Sequence, residues 1–262
     1  MFSRLYDRYF IKKPAVRLFV TKLLEKDEDI DIDLLCSRLK VNSIKEHGYL
    51  RASRMAKFSS LFRDEIPVLM HLAALLPGSD TFIDVGANVG VFSASLSKLK
   101  SVFQDIEFLA FEANPDTFSR LSRTVENLQV KTHCIALSNK TGELEFVSGT
   151  ASGVFTAIDY ASSYNNKEKT IVPCRRLDSF DISGVSMVIK IDVEGQEMDV
   201  LEGSSKFFEK RFVKAVYLDG YSSKNRVENF LRGYGFSFFD GRSLQPVEGD
   251  VFSLLAIHGA YL

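Results

Sequence analysis

The chain has 262 residues, 45% apolar and 26% charged, with a formal net charge of -1. That length fits one domain with an extension, and the composition is that of a soluble globule with a sizeable core. A near-neutral balance gives no general attraction to nucleic acid or acidic surfaces, and no apolar run approaches the ~18 residues of a membrane span.

The first residues, through Lys26, are basic. Lys12, Lys13, Arg17 and Lys22 interrupt every candidate apolar core of a signal peptide, so none is predicted. After Pro14, apolar residues at Val16, Phe19, Val20, Leu23 and Leu24 form one stripe of an amphipathic helix. Packing of this stripe on the main domain is the preferred reading; a partner helix, or peripheral membrane contact through residues 14–26, is the alternative. Leu34, Leu35 and Leu39 suggest a second short helix, and Gly48 a turn. Residues 1–60 are thus expected to form a helical extension ahead of a domain over 61–262. Asp64 is expected to begin a third helix, with Ile66, Leu69, Met70, Ala73 and Leu76 on its apolar face and Pro67 in its first turn.

Residues 82–90 read FIDVGANVG, and the domain is organised around them. An apolar, β-branched run suits a strand buried in a parallel sheet. It leads into a loop with Gly86, Asn88 and Gly90, after which Phe92, Leu96 and Leu99 recur at helical spacing. Glycines let the backbone approach a ligand, and a helix N-terminus offers free N–H groups, so the unit reads as a nucleotide cradle. The dinucleotide fingerprint needs glycine at 88 and 91, where the chain has Asn88 and Val91, so a nicotinamide cofactor is excluded. Asp84 followed by Gly-x-Asn-x-Gly resembles the first motif of class I S-adenosylmethionine-dependent methyltransferases.

Ile106 to Phe111 forms the second strand and runs into Glu112; Asn114-Pro115 then caps a helix. A carboxylate at this strand end can accept both hydroxyls of a ribose, and its separation from Gly86 is close to the ~20 residues of such units. The third strand is expected at Thr132 to Leu137, leaving Ser138 beside the adenine pocket. Residues 148–170, rich in Ser, Gly, Asn and Thr, suggest a hairpin or lid on the acceptor side.

Val185 to Ile191 is the most hydrophobic strand and continues as Lys190-Ile191-Asp192-Val193-Glu194-Gly195. If the strand continues, Lys190, Asp192 and Glu194 share one direction. Three charges at the end of a central strand need pairing or a solvated cleft, and ligands bind in that crevice. Phe212 to Leu218 is the next strand, and Phe236 to Phe239 with Val251 to Ile257 closes the chain as an antiparallel pair. The fold class is therefore α/β: a doubly wound, Rossmann-like, mostly parallel seven-stranded sheet with one antiparallel edge strand, plus N-terminal helices.

FIDVGANVG at 82–90, FEANP at 111–115, ALSNKTG at 136–142, RLDSF at 176–180 and KIDVEGQE at 190–197 together resemble the FkbM-type methyltransferases. The resemblance implies S-adenosylmethionine as donor and methyl transfer to a hydroxyl, with a sugar, glycan or natural-product acceptor. One departure is Asp219, where the family's fifth strand commonly ends in glutamate. Asp84, Gly86, Asn88, Gly90, Glu112 and Ser138 are the cofactor candidates. Asp192 is the first candidate base and Glu194 the second, with Lys190 able to keep either ionised. Asp192, Glu194 and Asp219 suit Mg²⁺, but the reading without a metal is preferred. A catalytically inactive, methyltransferase-like binding module is the non-enzymatic alternative. Cys36, Cys134 and Cys174 are too dispersed for a C-x-x-C site and fit reduced thiols in a cytoplasmic protein.

Overall fold

The computed structural model describes residues 14–56, 59–148, 155–157 and 169–262. Helix α1 (Pro14–Leu24) forms where the stripe predicts it. The expected packing on the main domain does not hold for all of it: Phe19, Leu23 and Leu24 are exposed. The expected second helix is instead a β hairpin, β1 (Asp29–Leu34) and β2 (Ser37–Asn42). The run Asp-Ile-Asp-Ile-Asp-Leu alternates with period two, the strand period, and its even-numbered residues Ile30, Ile32 and Leu34 turn inward. Leu35 and Cys36 both take positive φ, as a two-residue hairpin turn requires.

Gly48 sits inside helix α2 (His47–Arg54) and is no turn. Helix α3 (Leu61–Leu75) begins earlier than expected, with Ser60 at its N-cap and Asp64 in its first turn. Thereafter the pattern follows the sequence: β3 (Thr81–Val85), α4 (Val91–Leu96), β4 (Glu107–Glu112) and α5 (Pro115–Thr124), the last capped by the Asn114 side chain accepting from Asp116 N and Thr117 N.

The third expected strand is divided. β5 (Val130–Cys134) belongs to the main sheet, whereas β6 (Ala136–Leu137) opens a second sheet with β7 (Gly142–Ser148), β8 (Phe155–Ala157) and β9 (Lys169–Arg175). β7 and β8 pair antiparallel, as a hairpin would. The lid reading falls largely on residues 149–154 and 158–168, outside the described residues.

β10 (Met187–Ile191), α6 (Glu197–Glu202), α7 (Ser205–Glu209), β11 (Val213–Asp219), α8 (Lys224–Gly233), β12 (Phe236–Asp240) and β13 (Ser253–His258) complete the chain. The seven-stranded sheet has the order β12-β13-β11-β10-β3-β4-β5. β13 is its antiparallel member, inserted between β11 and β12. Both faces are covered, so strand residues alternate between two cores. Phe82, Phe108, Val188 and Ala215 join Leu39, Val41, Leu50 and Leu72 on one side. Ile83, Leu109, Ile189 and Val216 join Leu201, Phe208 and Leu231 on the other. That two-sided burial explains why these strands read as unbroken apolar runs.

Candidate active site

From β3 the chain winds outward to β4 and β5, then returns to place β10 on the other side of β3. The carboxyl ends of β3 and β10 are therefore the point where winding reverses, and a crevice opens there. Its walls are Val85, Gly86 and Asn88 after β3, Phe111 and Glu112 from β4, Ala136, Leu137 and Phe146 from the second sheet, and Asp192, Glu194 and Gln196 after β10.

The loop after β3 is held from both sides. Gly86 N and Ala87 N donate to the Phe111 carbonyl, and Asp192 N donates to the Val85 carbonyl. Gly86 has φ +70°, and a Cβ there would lie 1.9 Å from the backbone oxygen of Asp192. No residue but glycine lets the two loops come this close. Gly90 also has positive φ, but a Cβ there would meet Leu121 of α5 at 2.7 Å. It is no part of the crevice wall, and its contact is with helix packing.

Asp84 is fully buried beneath the loop. Its Oδ2 accepts from Ser93 N and Ser93 Oγ at 3.2 and 2.7 Å, and its Oδ1 lies 3.0 Å from Lys190 Nζ. Lys190 also donates to the Gly86 carbonyl at 2.9 Å and lies 3.6 Å from Asp192 Oδ2. One ammonium thus joins β3, its glycine loop and the end of β10. Burial disfavours the charge on Lys190, but Asp84 and then Asp192 outweigh it and hold its pKa above the ordinary lysine value.

Glu112 Oε2 accepts from Asn88 N and Oε1 from Asn114 N, both at 2.9 Å. Burial raises its pKa, and the two backbone donors oppose that. Each oxygen keeps a further lone pair, and Glu112 lines the crevice. Asn88 Oδ1 and Gln196 Oε1 are buried there without a hydrogen-bond partner among the described residues. A carboxylate with acceptor capacity to spare, two unsatisfied amide oxygens and an apolar wall of Ala136, Leu137 and Phe146 fit an adenosine carrying a polar, cationic tail. Ser138, expected beside the adenine, is buried one residue past that wall, with its N–H donated to Arg175.

On the far side of Asp192 the carboxylates gather. The strand stops at Ile191, so Glu194 does not stack on Lys190 and Asp192 as an extended strand would place it. It stands exposed at the rim of the crevice. Glu197, fully buried, accepts from Gly195 N, Ser222 N and Ser222 Oγ and so holds the loop in shape. Asp192 lines the crevice half-buried, and its pKa is pushed up to about 7. Burial is the main cause, Lys190 opposes it, and Asp219, Glu194 and Asp84 add repulsion.

Sequence reasoning missed Glu65 and Tyr217, which belong to this cluster. Asp64 of α3 pairs with Arg242 at 3.3 Å, and His71 Nδ1 lies 3.2 Å from the Gly241 carbonyl, so α3 is tied to the loop joining β12 and β13. Glu65 thereby faces the end of β11, and burial, then Asp219 and Asp192, push its pKa up to about 8. Tyr217 donates to Asp219 Oδ1 at 2.9 Å. Tyr49 of α2 faces the same carboxylates: burial, then Glu65 and Asp192, raise the pKa of its phenol and keep it a neutral donor. No local sequence signal marks Glu65, because its neighbours come from elements far along the chain. Among the described residues, no group of three His, Cys, Asp or Glu side chains is arranged to hold a metal ion.

A model of the methyltransferase FkbM domain matches residues 84–238. Over 171 residues the chain is 31% identical to the hexuronic acid methyltransferase AglP of Haloferax volcanii, covering 64% of each protein. Over 154 residues it is 28% identical to Methyltransferase 1 of Beauveria bassiana, covering 50% of this chain and 60% of that one. The chain thus spans less than two thirds of the length of these curated relatives. A solved structure, the SAM dependent methyltransferase of Agrobacterium tumefaciens, is similar with a TM-score of 0.44 and 10% identity, covering 88% of this chain and 70% of that one.

Proposed function

The chain belongs to the FkbM methyltransferase family, and from that premise we propose that it moves a methyl group from S-adenosylmethionine to a hydroxyl oxygen of a sugar or glycan. The observation that carries this reading is the crevice at the β3–β10 reversal, where an adenosine-shaped cradle and a carboxylate cluster stand on either side of Asp192. The name of the 31% identical relative, a hexuronic acid methyltransferase, supports a sugar as acceptor class.

In this reading Glu112 holds the ribose hydroxyls, Asn88 and the Gly86 loop face the methionine portion, and Ala136, Leu137 and Phe146 enclose the base. Bound S-adenosylmethionine supplies an electrophilic methyl carbon on a sulfonium, so the chain needs no covalent intermediate of its own. Its tasks are to orient an acceptor hydroxyl and to take one proton. Orientation is the larger of the two: it can remove roughly 7–11 kcal/mol of a barrier, against about 10²–10⁴-fold for a general base. Asp192 is the candidate proton acceptor. Lys190 positions it from below, and a pKa near 7 matches a base working near neutral pH. Tyr49 and Asp219 are candidates to orient the acceptor.

The test is calorimetric titration of the purified chain with S-adenosylhomocysteine, then incubation with methyl-labelled S-adenosylmethionine and a panel of neutral sugars, hexuronates and polyketide hydroxyls. Binding followed by a labelled methyl ether is the expected result. No binding by a folded chain overturns the donor assignment, and binding without transfer to any hydroxyl leaves the non-enzymatic binding module as the better account.

A further inference from the structure

The exposed face of α1 has no counterpart in the active site. Val16, Phe19, Val20, Leu23 and Leu24 fall within about 140° of arc at 3.6 residues per turn. Phe19, Leu23 and Leu24 are 69%, 73% and 73% exposed. Three large apolar side chains turned to water on one short helix are a surface without a partner among the described residues.

Charge identifies the partner. Residues 1–26 carry seven basic and two acidic side chains in a chain of net charge -1, so the rest of the molecule is net acidic. An anionic surface is attracted by this basic segment and suits the apolar arc of α1, whereas an acidic protein partner would be repelled by the net acidic remainder of the chain. Lys22 borders the apolar arc and is exposed, in the position from which a lysine reaches a headgroup while its neighbours enter the acyl boundary. Among the described residues no helix is long and apolar enough to cross a membrane, so this helix lies along the surface.

We propose that α1 docks the protein on an anionic phospholipid surface, with Phe19, Leu23 and Leu24 inserted at the acyl boundary and Lys22 against the headgroups. The position of the helix gives the contact a purpose. Glu25, just after α1, is ion-paired with Arg54 at the end of α2. Tyr49, five residues back on α2 and about 7.5 Å along its axis, is near enough to the carboxylates Glu65 and Asp192 to feel their charge. A glycan acceptor carried on a lipid would then be presented from the surface to which the protein is bound.

The experiment is co-sedimentation of the full chain with sucrose-loaded vesicles of phosphatidylcholine, with and without phosphatidylglycerol, across a salt series. A Phe19→Glu/Leu23→Glu variant runs in parallel, its fold checked by circular dichroism and by unchanged S-adenosylhomocysteine affinity. Size-exclusion chromatography with light scattering reports self-association of both proteins without lipid. Expected are binding to the anionic vesicles only, weakening as salt rises, and a loss of at least about tenfold in the variant. Absence of binding to anionic vesicles, equal binding by the variant, or a lipid-free dimer that the substitutions abolish would each overturn the proposal, the last assigning the face to a second copy of the chain. None of these readouts depends on methyl transfer.

Discussion

Lys190 Nζ and Asp84 Oδ1 stand 3.0 Å apart at the end of two adjacent parallel strands, and their side chains are 3% and 0% exposed. The register pairs the two residues directly across β10 and β3, so the ion pair is a consequence of strand alignment. A charge this deep persists only when paired. Lys190→Met should therefore destabilise the fold by about 3–5 kcal/mol, because it strands the Asp84 carboxylate. Adding Asp84→Asn should recover part of the loss. Urea denaturation of the two single variants and the double variant measures the coupling; additive losses would show that the pair is not a unit.

Glu112→Ala should weaken S-adenosylhomocysteine binding by at least about tenfold, since two ribose hydroxyls would lose a charged acceptor, and should lower stability because Asn88 N and Asn114 N lose theirs. Calorimetry against wild type decides it. Unchanged affinity would remove Glu112 from the ribose role.

Asp192→Asn should retain cofactor affinity and lower kcat by about 10²–10⁴-fold. The base form of Asp192 is the deprotonated one, so wild-type kcat should rise with pH through about 7 and then level off. The variant should lose that rise. A rise that survives the substitution would transfer the titration to another group.

Glu65 predicts a pH dependence of stability. Its folded pKa of about 8 lies above the ordinary glutamate value, so the folded state holds the proton more tightly. Its contribution is full below the unfolded value and is lost as pH rises through about 8. Glu65→Gln should flatten the fall in Tm between about pH 5 and pH 8.5. An equal fall in both proteins would show that Glu65 does not titrate in that window.

Two glycines should respond with opposite sign to the same change. Gly86→Ala sets a Cβ 1.9 Å from a backbone oxygen at a positive φ and should cost at least about 2 kcal/mol with loss of cofactor binding. Gly48→Ala in α2 meets nothing within 4 Å and should stabilise by about 0.5–1 kcal/mol. Thermal melts of the two variants separate them.

Gly86 was legible as a close-approach glycine from its place between a strand and a helix. Gly90 carried the same signal, yet its Cβ would meet Leu121, a contact that only the packing of α4 against α5 creates. The hairpin over 29–42 was misread because Leu34, Leu35 and Leu39 also satisfy a helical spacing, whereas the period-two alternation of Asp29 to Leu34 was the stronger local signal. Lys190 and Asp192 were legible as a charged strand end, but Lys190's main partner is Asp84, which the alternation argument could not supply.

By itself the sequence determined what depends on near neighbours: the order along the chain of the strands that build the seven-stranded sheet, the glycine loop after β3, the Asn114 cap, the carboxylate ending β4 and the charged segment ending β10. These follow from period, turn chemistry and short-range hydrogen bonding. Only the tertiary structure decided which charges meet. Sheet order brings Asp84 beside Lys190, and the ties from α3 to the β12–β13 loop bring Glu65 toward Asp219 and Asp192. Burial and like-charge repulsion, which set the pKa of a candidate base, act through space between residues distant in sequence, and the chain order alone does not encode those distances.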